Sequence, residues 1–293
     1  MFKKLLVLVT TMLILSSCEK AVLPESESSD AQSGNLRVKV YEIEKTPFAS
    51  LTRTTDTRAE EVSAVCTRLN FAVYDDGGSR VKQINQTSDK AGFGTCSFQL
   101  DEGNYQLVVV AHSAKGNPTM TNPSKIQFTN ATGYTDTFLF RCNVTMGEEE
   151  QEVSVSLDRI VALCRFVITD DIPAEVKKLQ FYYTGGSGAF NAATGFGSVN
   201  SKQTVTYDVT PGQKQFDLYT FLHEKGDNIA LKVSALDANG NTLYVHDFDV
   251  PMQQNYISWL SGACFSGSGS SSSNTFTIVK VNTDWAGEMH QTF

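Results

Sequence analysis

Apolar residues in this chain come in short alternating runs broken by turn residues, and past the first fifteen positions no long window carries a helical period. That pattern limits the fold to sheets. Segment 36–43 (LRVKVYEI) sets Leu36, Val38 and Val40 on one face and Arg37 and Lys39 on the other, a half-buried strand. Segment 69–74 alternates in the same way and ends at Asp75-Asp76-Gly77-Gly78, a hairpin turn of the Asp-Gly kind, from which 81–84 returns. Segments 95–100 and 105–111 form a second hairpin. The latter is apolar on both faces and so belongs in a sheet centre. Further strands are expected at 137–144, 151–157, 160–168, 178–183, 203–209, 215–221, 229–236, 242–250, 256–265 and 275–281, with 121–135 and the Gly/Asn/Ser-rich 185–201 as loops. Roughly fourteen short strands are twice a seven-strand sandwich. The expectation is all-β, two antiparallel sandwiches in tandem, over 36–150 and 151–293.

The amino-terminal residues read differently. Lys3 and Lys4 precede an apolar run of eleven residues, 5–15. As a helix it would reach about 16 Å, short of the roughly 30 Å of a bilayer core. A basic start, a short apolar middle and small residues before Cys18 mark 1–17 as an export signal. Leu15-Ser16-Ser17-Cys18 resembles the lipobox of bacterial lipoproteins, which implies cleavage before Cys18 and acylation of that cysteine. Residues 19–35 are polar, rich in Ser and Glu and without periodicity, so 18–35 reads as a flexible spacer behind the lipid.

From Cys18 onward the chain has 276 residues, and losing Lys3 and Lys4 takes the net charge from −8 to −10. An acidic body without a Lys/Arg cluster excludes nucleic-acid partners. Cys66, Cys96, Cys142, Cys164 and Cys264 include no C-x-x-C pair, so no zinc site is suggested. Cys66, Cys96, Cys142 and Cys164 lie in or beside apolar runs and read as small buried hydrophobes, with one or two disulfides as the alternative in an exported protein.

No catalytic constellation is present. There is no Gly-x-Ser-x-Gly elbow, and His223-Glu224 lacks the second histidine of a zinc motif. His112, His246 and His290 read as surface or strand-edge residues. Asp237-Ala-Asn-Gly-Asn241 would need a Glu where Phe248 stands to be a calcium loop, so it is a turn. Asp75-Asp76 and Asp170-Asp171 read as turn and cap residues. The chain is not expected to be an enzyme, and no cofactor or metal is implied.

The chain resembles the FimB-like family of fimbrillin-associated anchor subunits, lipoproteins at the base of the protease-matured (type V) pili of Bacteroidales. The resemblance rests on four features: the lipobox at Cys18; Phe98-x-Leu100-x-x-Gly103-x-Tyr105-x-Leu107-Val-Val-Val-Ala111; Leu157-x-Arg159-x-Val161-Ala162; and Asn255-Tyr-Ile-Ser-Trp-Leu-Ser-Gly262 with a terminal strand ending at Trp285. It implies two transthyretin-like β-sandwiches, an outer-membrane lipoprotein (palmitate-type acylation at Cys18) facing the cell surface, and pilin partners joined by strand donation in support of cell adhesion. Two stretches suit that role. Segment 36–43 leads into a long connection carrying Arg53 and Arg58, which resemble the sites where stalk subunits are cut by an arginine-specific protease. Phe276, Ile278, Val279 and Val281 lie in a strand behind a Gly/Ser tract. A permanent anchor is expected to stay uncut at Arg53 and Arg58, because a cut would separate the body from its lipid. The alternative is a surface lipoprotein that binds glycan or a host ligand through its sandwiches. Only Trp259 and Trp285 could serve as tryptophan platforms, and both sit near core strands.

Overall fold

The computed structural model describes residues 34–44, 62–266, 276–277 and 287–289. The first seven sandwich strands form one sheet folded into two layers. One layer holds β1 (Leu36–Glu44), β4 (Thr95–Phe98) and β9 (Gln151–Arg159) in the order β4-β1-β9. The other holds β2 (Arg68–Asp75), β3 (Arg80–Thr87), β5 (Gly103–His112) and β8 (Thr137–Met146) in the order β3-β2-β5-β8. Among the described residues the layers join where Phe138 and Leu139 of β8 pair with Arg159 and Asp158 of β9. A single helical turn, α1 (Val62–Val65), precedes β2.

The second module repeats this plan. Its strands are β10 (Ala162–Ile168), β11 (Lys178–Thr184), β13 (Gln203–Asp208), β14 (Gln215–Thr220), β15 (Gly226–Leu236), β16 (Thr242–Gln253) and β17 (Tyr256–Gly262). They stack as β14-β10-β17 against β13-β11-β15-β16, strand for strand the order of the first module. Each module is antiparallel except where its first and last strands meet: β1 runs parallel to β9 and β10 parallel to β17. A connection spanning the whole module allows this, where a hairpin would not.

Each sandwich encloses its own core. Leu36, Val38, Leu69, Phe71, Leu107, Val109 and Phe138 fill the first; Phe166, Phe181, Phe216, Leu231 and Leu260 the second. A third cluster lies between the modules. The opposite faces of β2 and β5 (Ala72, Tyr74, Val108, Val110) meet Ile160, Val161, Leu163, Phe221 and Ile257. That layer is completed by the small sheet of β6 (Thr119–Asn122), β7 (Lys125–Gln127) and β12 (Ala189–Phe190). This explains why β5 is apolar on both faces. It also corrects two readings of loop. Segment 121–135 contributes β7, Ile126 and Phe128, and segment 185–201 contributes β12 with Phe190 fully buried.

The proposed division also moves. Residues 151–159, placed in the second module by a boundary at 150, form β9 and pair with β1. The acidic Met146–Glu150 stretch resembles a linker in composition, but it carries the chain from one layer of the first module to the other. Hydrogen bonding therefore favours a division after Arg159.

Candidate assembly sites

Strand β1 lies inside its half-sheet, antiparallel to β4 from Leu36↔Phe98 to Lys39↔Thr95 and parallel to β9 from Leu36↔Gln151 to Glu44↔Asp158. Its alternation is the one expected: Leu36, Val38 and Val40 face the core, while Arg37, Lys39 and Tyr41 are exposed. The outer face is held by polar contacts. Arg37 reaches Glu150 at 3.1 Å, and the Lys39 ammonium lies 4.5 Å from the Tyr41 ring centre. Asn35 fixes where the strand begins: its amide donates to the Leu100 carbonyl at 2.8 Å and accepts from the Leu100 N–H at 2.9 Å. Taking β1 away would leave an apolar slot with two free ladders, β4 and β9. Cys18, Arg53 and Arg58 lie outside the described residues.

At the other end, β17 keeps β10 on one edge. The second edge takes two short strands of the tail, β18 (Phe276–Thr277) antiparallel at Ser261–Gly262 and β19 (Gly287–Met289) parallel at Tyr256–Ser258. Of the expected donor residues, Phe276 pairs with Gly262, while Ile278, Val279 and Val281 lie outside the described residues. The chain leaves β17 from a fixed point. Asp170 accepts the N–H groups of Cys264, Phe265 and Ser266 at 2.9, 2.6 and 2.6 Å. Burial opposes its charge, but those donors outweigh burial and hold the carboxyl below its usual range. His246 adds a 2.9 Å bond to the Cys264 carbonyl. Asp170 is thus the cap it was expected to be.

Two of the motif pieces meet between the modules. Arg159, at the end of β9, makes a two-pronged bond to Asp136 (2.7 and 2.9 Å) and lies 4.8 Å from the Phe138 ring centre. Its third contact is Asn255 Oδ1 at 3.3 Å, and Asn255 returns its own N–H to the Val161 carbonyl at 2.9 Å. Asn255 holds φ 61°, a left-handed turn that asparagine tolerates better than most residues. Beside it, Gln254 donates to the Ile160 and Gly195 carbonyls, both at 3.1 Å. Within the second module Arg165 pairs with Asp217 in two 2.7 Å bonds and sits 5.0 Å from the Trp259 ring centre.

The histidines depart from expectation. His112 is fully buried, bonded through Nε2 to Asn70 Oδ1 at 2.7 Å and accepting the Ala114 N–H on Nδ1 at 3.1 Å. The hydrogen therefore sits on Nε2. Burial, with Arg68 nearby, pushes its pKa down to about 4. His223 is half-buried against the Gly197 carbonyl rather than exposed, and His290 lies outside the described residues. Asp237 builds the turn expected of it, accepting the N–H groups of Asn239 and Asn241, each at 2.8 Å. Cys66, Cys96, Cys142, Cys164 and Cys264 are free thiols, with Cys66, Cys164 and Cys264 buried. Burial pushes Cys164 up to about 12, so it packs as a small hydrophobe. Among the described residues, no three His, Cys, Asp or Glu side chains are grouped as metal ligands, and no helix is long and apolar enough to cross a membrane.

Fold and sites together define a tandem β-sandwich protein whose first strand and tail are both laid into its sheets. The sequence profile of the fimbrillin-A associated anchor proteins Mfa1 and Mfa2 matches residues 26–285, and the chain belongs to that family. Among solved structures, a candidate adhesin from Bacteroides ovatus shares 12% identity over 88% of this chain and 94% of its own, with a TM-score of 0.50. The fimbrial anchor protein Mfa2 from Porphyromonas gingivalis shares 12% over 79% and 91% (TM-score 0.42). A fimbrial assembly protein from Parabacteroides distasonis shares 14% over 83% and 93% (TM-score 0.38). No curated protein sequence matches the chain.

Proposed function

We propose that this protein is a fimbrial anchor or accessory subunit of the cell envelope, tethered to the outer membrane through lipid on Cys18 and joined to pilins by strand donation. Family membership over residues 26–285 supports the fimbrial role and, with it, a binding rather than a catalytic protein. The observation that carries the rest is where the two chain ends enter the fold. The strand next after the spacer is β1, in mid-sheet, so a tether on Cys18 pulls directly on the first core. The tail lies along a β17 edge that other strands leave open, where a pilin could exchange strands by β-augmentation. Several acyl chains on one cysteine would hold the membrane where a single chain binds only marginally. Replacing Cys18→Ala is expected to leave the body folded and to shed fimbriae into the medium. Fimbriae that stay cell-bound in that strain would overturn the anchor reading. Co-purification of pilins with the wild-type protein tests the partner, and loss of that co-purification on deleting residues 275–293 tests the strand.

A further inference from the structure

We infer that each module is a shear clamp, built so that a pull along the chain loads the ladder between its first and last strands all at once. In the first module, tension from the amino-terminal side reaches β1 at Leu36 and leaves at Arg159, the end of β9. The two strands are parallel from Leu36↔Gln151 to Val40↔Val155 and, past a one-residue shift of register, from Glu42↔Ser156 to Glu44↔Asp158. The pulled end of β1 and the pulled end of β9 therefore lie at opposite ends of the ladder, and tension slides one strand along the other. Every inter-strand bond is then strained together, and none can open ahead of its neighbours. Pulling at the same end of a ladder does the reverse, opening one pair at a time.

The second module has the same design. Tension enters β10 after Arg159 and leaves β17 after Gly262, and these strands are parallel from Leu163↔Ile257 to Ile168↔Gly262. The points of load transfer are themselves braced: Arg159 by Asp136 and Asn255, the exit of β17 by Asp170 and His246. Both modules share this parallel pairing of first and last strands, while the other pairings among β1 to β17 are antiparallel. The tether reading of Cys18 supplies the source of the load; the geometry stands without it. What shear loading changes is the rate of forced unfolding, which governs the lifetime of a protein under tension.

The wild-type chain contains its own control. Phe98 at the end of β4 is opposite Leu36 at the start of β1, so Glu102 and the amino terminus leave the fold at the same end of the β1–β4 ladder. Single-molecule pulling between the amino terminus and Ser266 loads both clamps in shear. Pulling between the amino terminus and Glu102 peels β1 from β4. Rupture force is expected to be severalfold higher in the first geometry, and equal or lower force there would overturn the inference. Lys39→Pro, which removes a ladder donor from a residue with an exposed side chain, should lower the first force and leave the second nearly unchanged. If that variant does not fold, the two wild-type geometries decide alone. The force ratio is measured on isolated protein, so its failure is distinct from retention of fimbriae by the Cys18→Ala strain.

Discussion

Arg159 shows how one side chain can join two modules. Its side chain is 4% exposed, with a carboxylate, an amide and a ring arranged around it, whereas that of Asp136 is 25% exposed. Removing either partner strands the other, and the cost follows the burial of what remains. Asp136→Ala leaves the more buried charge unpaired, so it is expected to cost about 3–5 kcal/mol, and Arg159→Ala less. Denaturant unfolding of the two variants checks the order. His112 makes a second prediction at this scale. The unfolded chain takes up a proton on it near pH 6.5, while the folded protein resists until about pH 4. The unfolded state thus binds more protons between those values, and stability falls as pH drops through that window, by roughly 3 kcal/mol in all. His112→Gln should flatten that part of the stability curve. Sequence reading placed His112 at a surface because histidine is ambivalent about burial. Yet it continues the even face of β5 after Val108 and Val110, and that phase was the available signal.

At the level of elements, alternation worked wherever one face of a strand meets a core and the other meets water. It located β1, β11 and β15 because each of them is such a strand. It failed in two ways. The first was to divide the chain at residue 150 by strand count, because long-range pairing of β9 with β1 leaves no local trace. The second was to read a Gly/Asn/Ser-rich composition as loop. In 185–201 glycines serve close packing: a Cβ on Gly186 would lie 2.0 Å from Thr220 Oγ1, and Gly185 holds φ +91°. The candidate sites divide along the same line. The buried and exposed faces of β1 were legible, but its place between two strands was not, and that place bears on proteolysis. A cut after Arg53 or Arg58 breaks the covalent path from lipid to body, yet β1 would remain bonded to both β4 and β9 with three apolar side chains in the core. Nicked protein is therefore expected to keep its amino-terminal fragment through gel filtration and to release it only in denaturant. Free fragment under native conditions would contradict this.

For the whole molecule, the layer between the sandwiches decides whether they behave as two bodies or one. Tyr74, Met120, Phe128, Phe190, Phe221 and Ile257 are each at most 2% exposed, and they come from both modules. Tyr74 also donates to the Met120 carbonyl at 2.7 Å, and the Phe190 and Phe221 rings meet at a tilt with their centres 4.8 Å apart. None of this was visible in a reading that assigned each apolar run to its own sandwich, since a face shared between sandwiches looks the same as a face turned inward. Two modules coupled through such a layer should unfold together, for separating them exposes large aromatic side chains to water. Phe190→Ala removes a ring from the centre of that layer and is expected to cost about 3–5 kcal/mol. The cost should appear in both modules. Native-state hydrogen exchange would show slow amides of β5 and of β10 losing protection by the same free energy, because both exchange through the same global opening. If β10 alone lost protection, the modules would be independent, and one could unfold without the other.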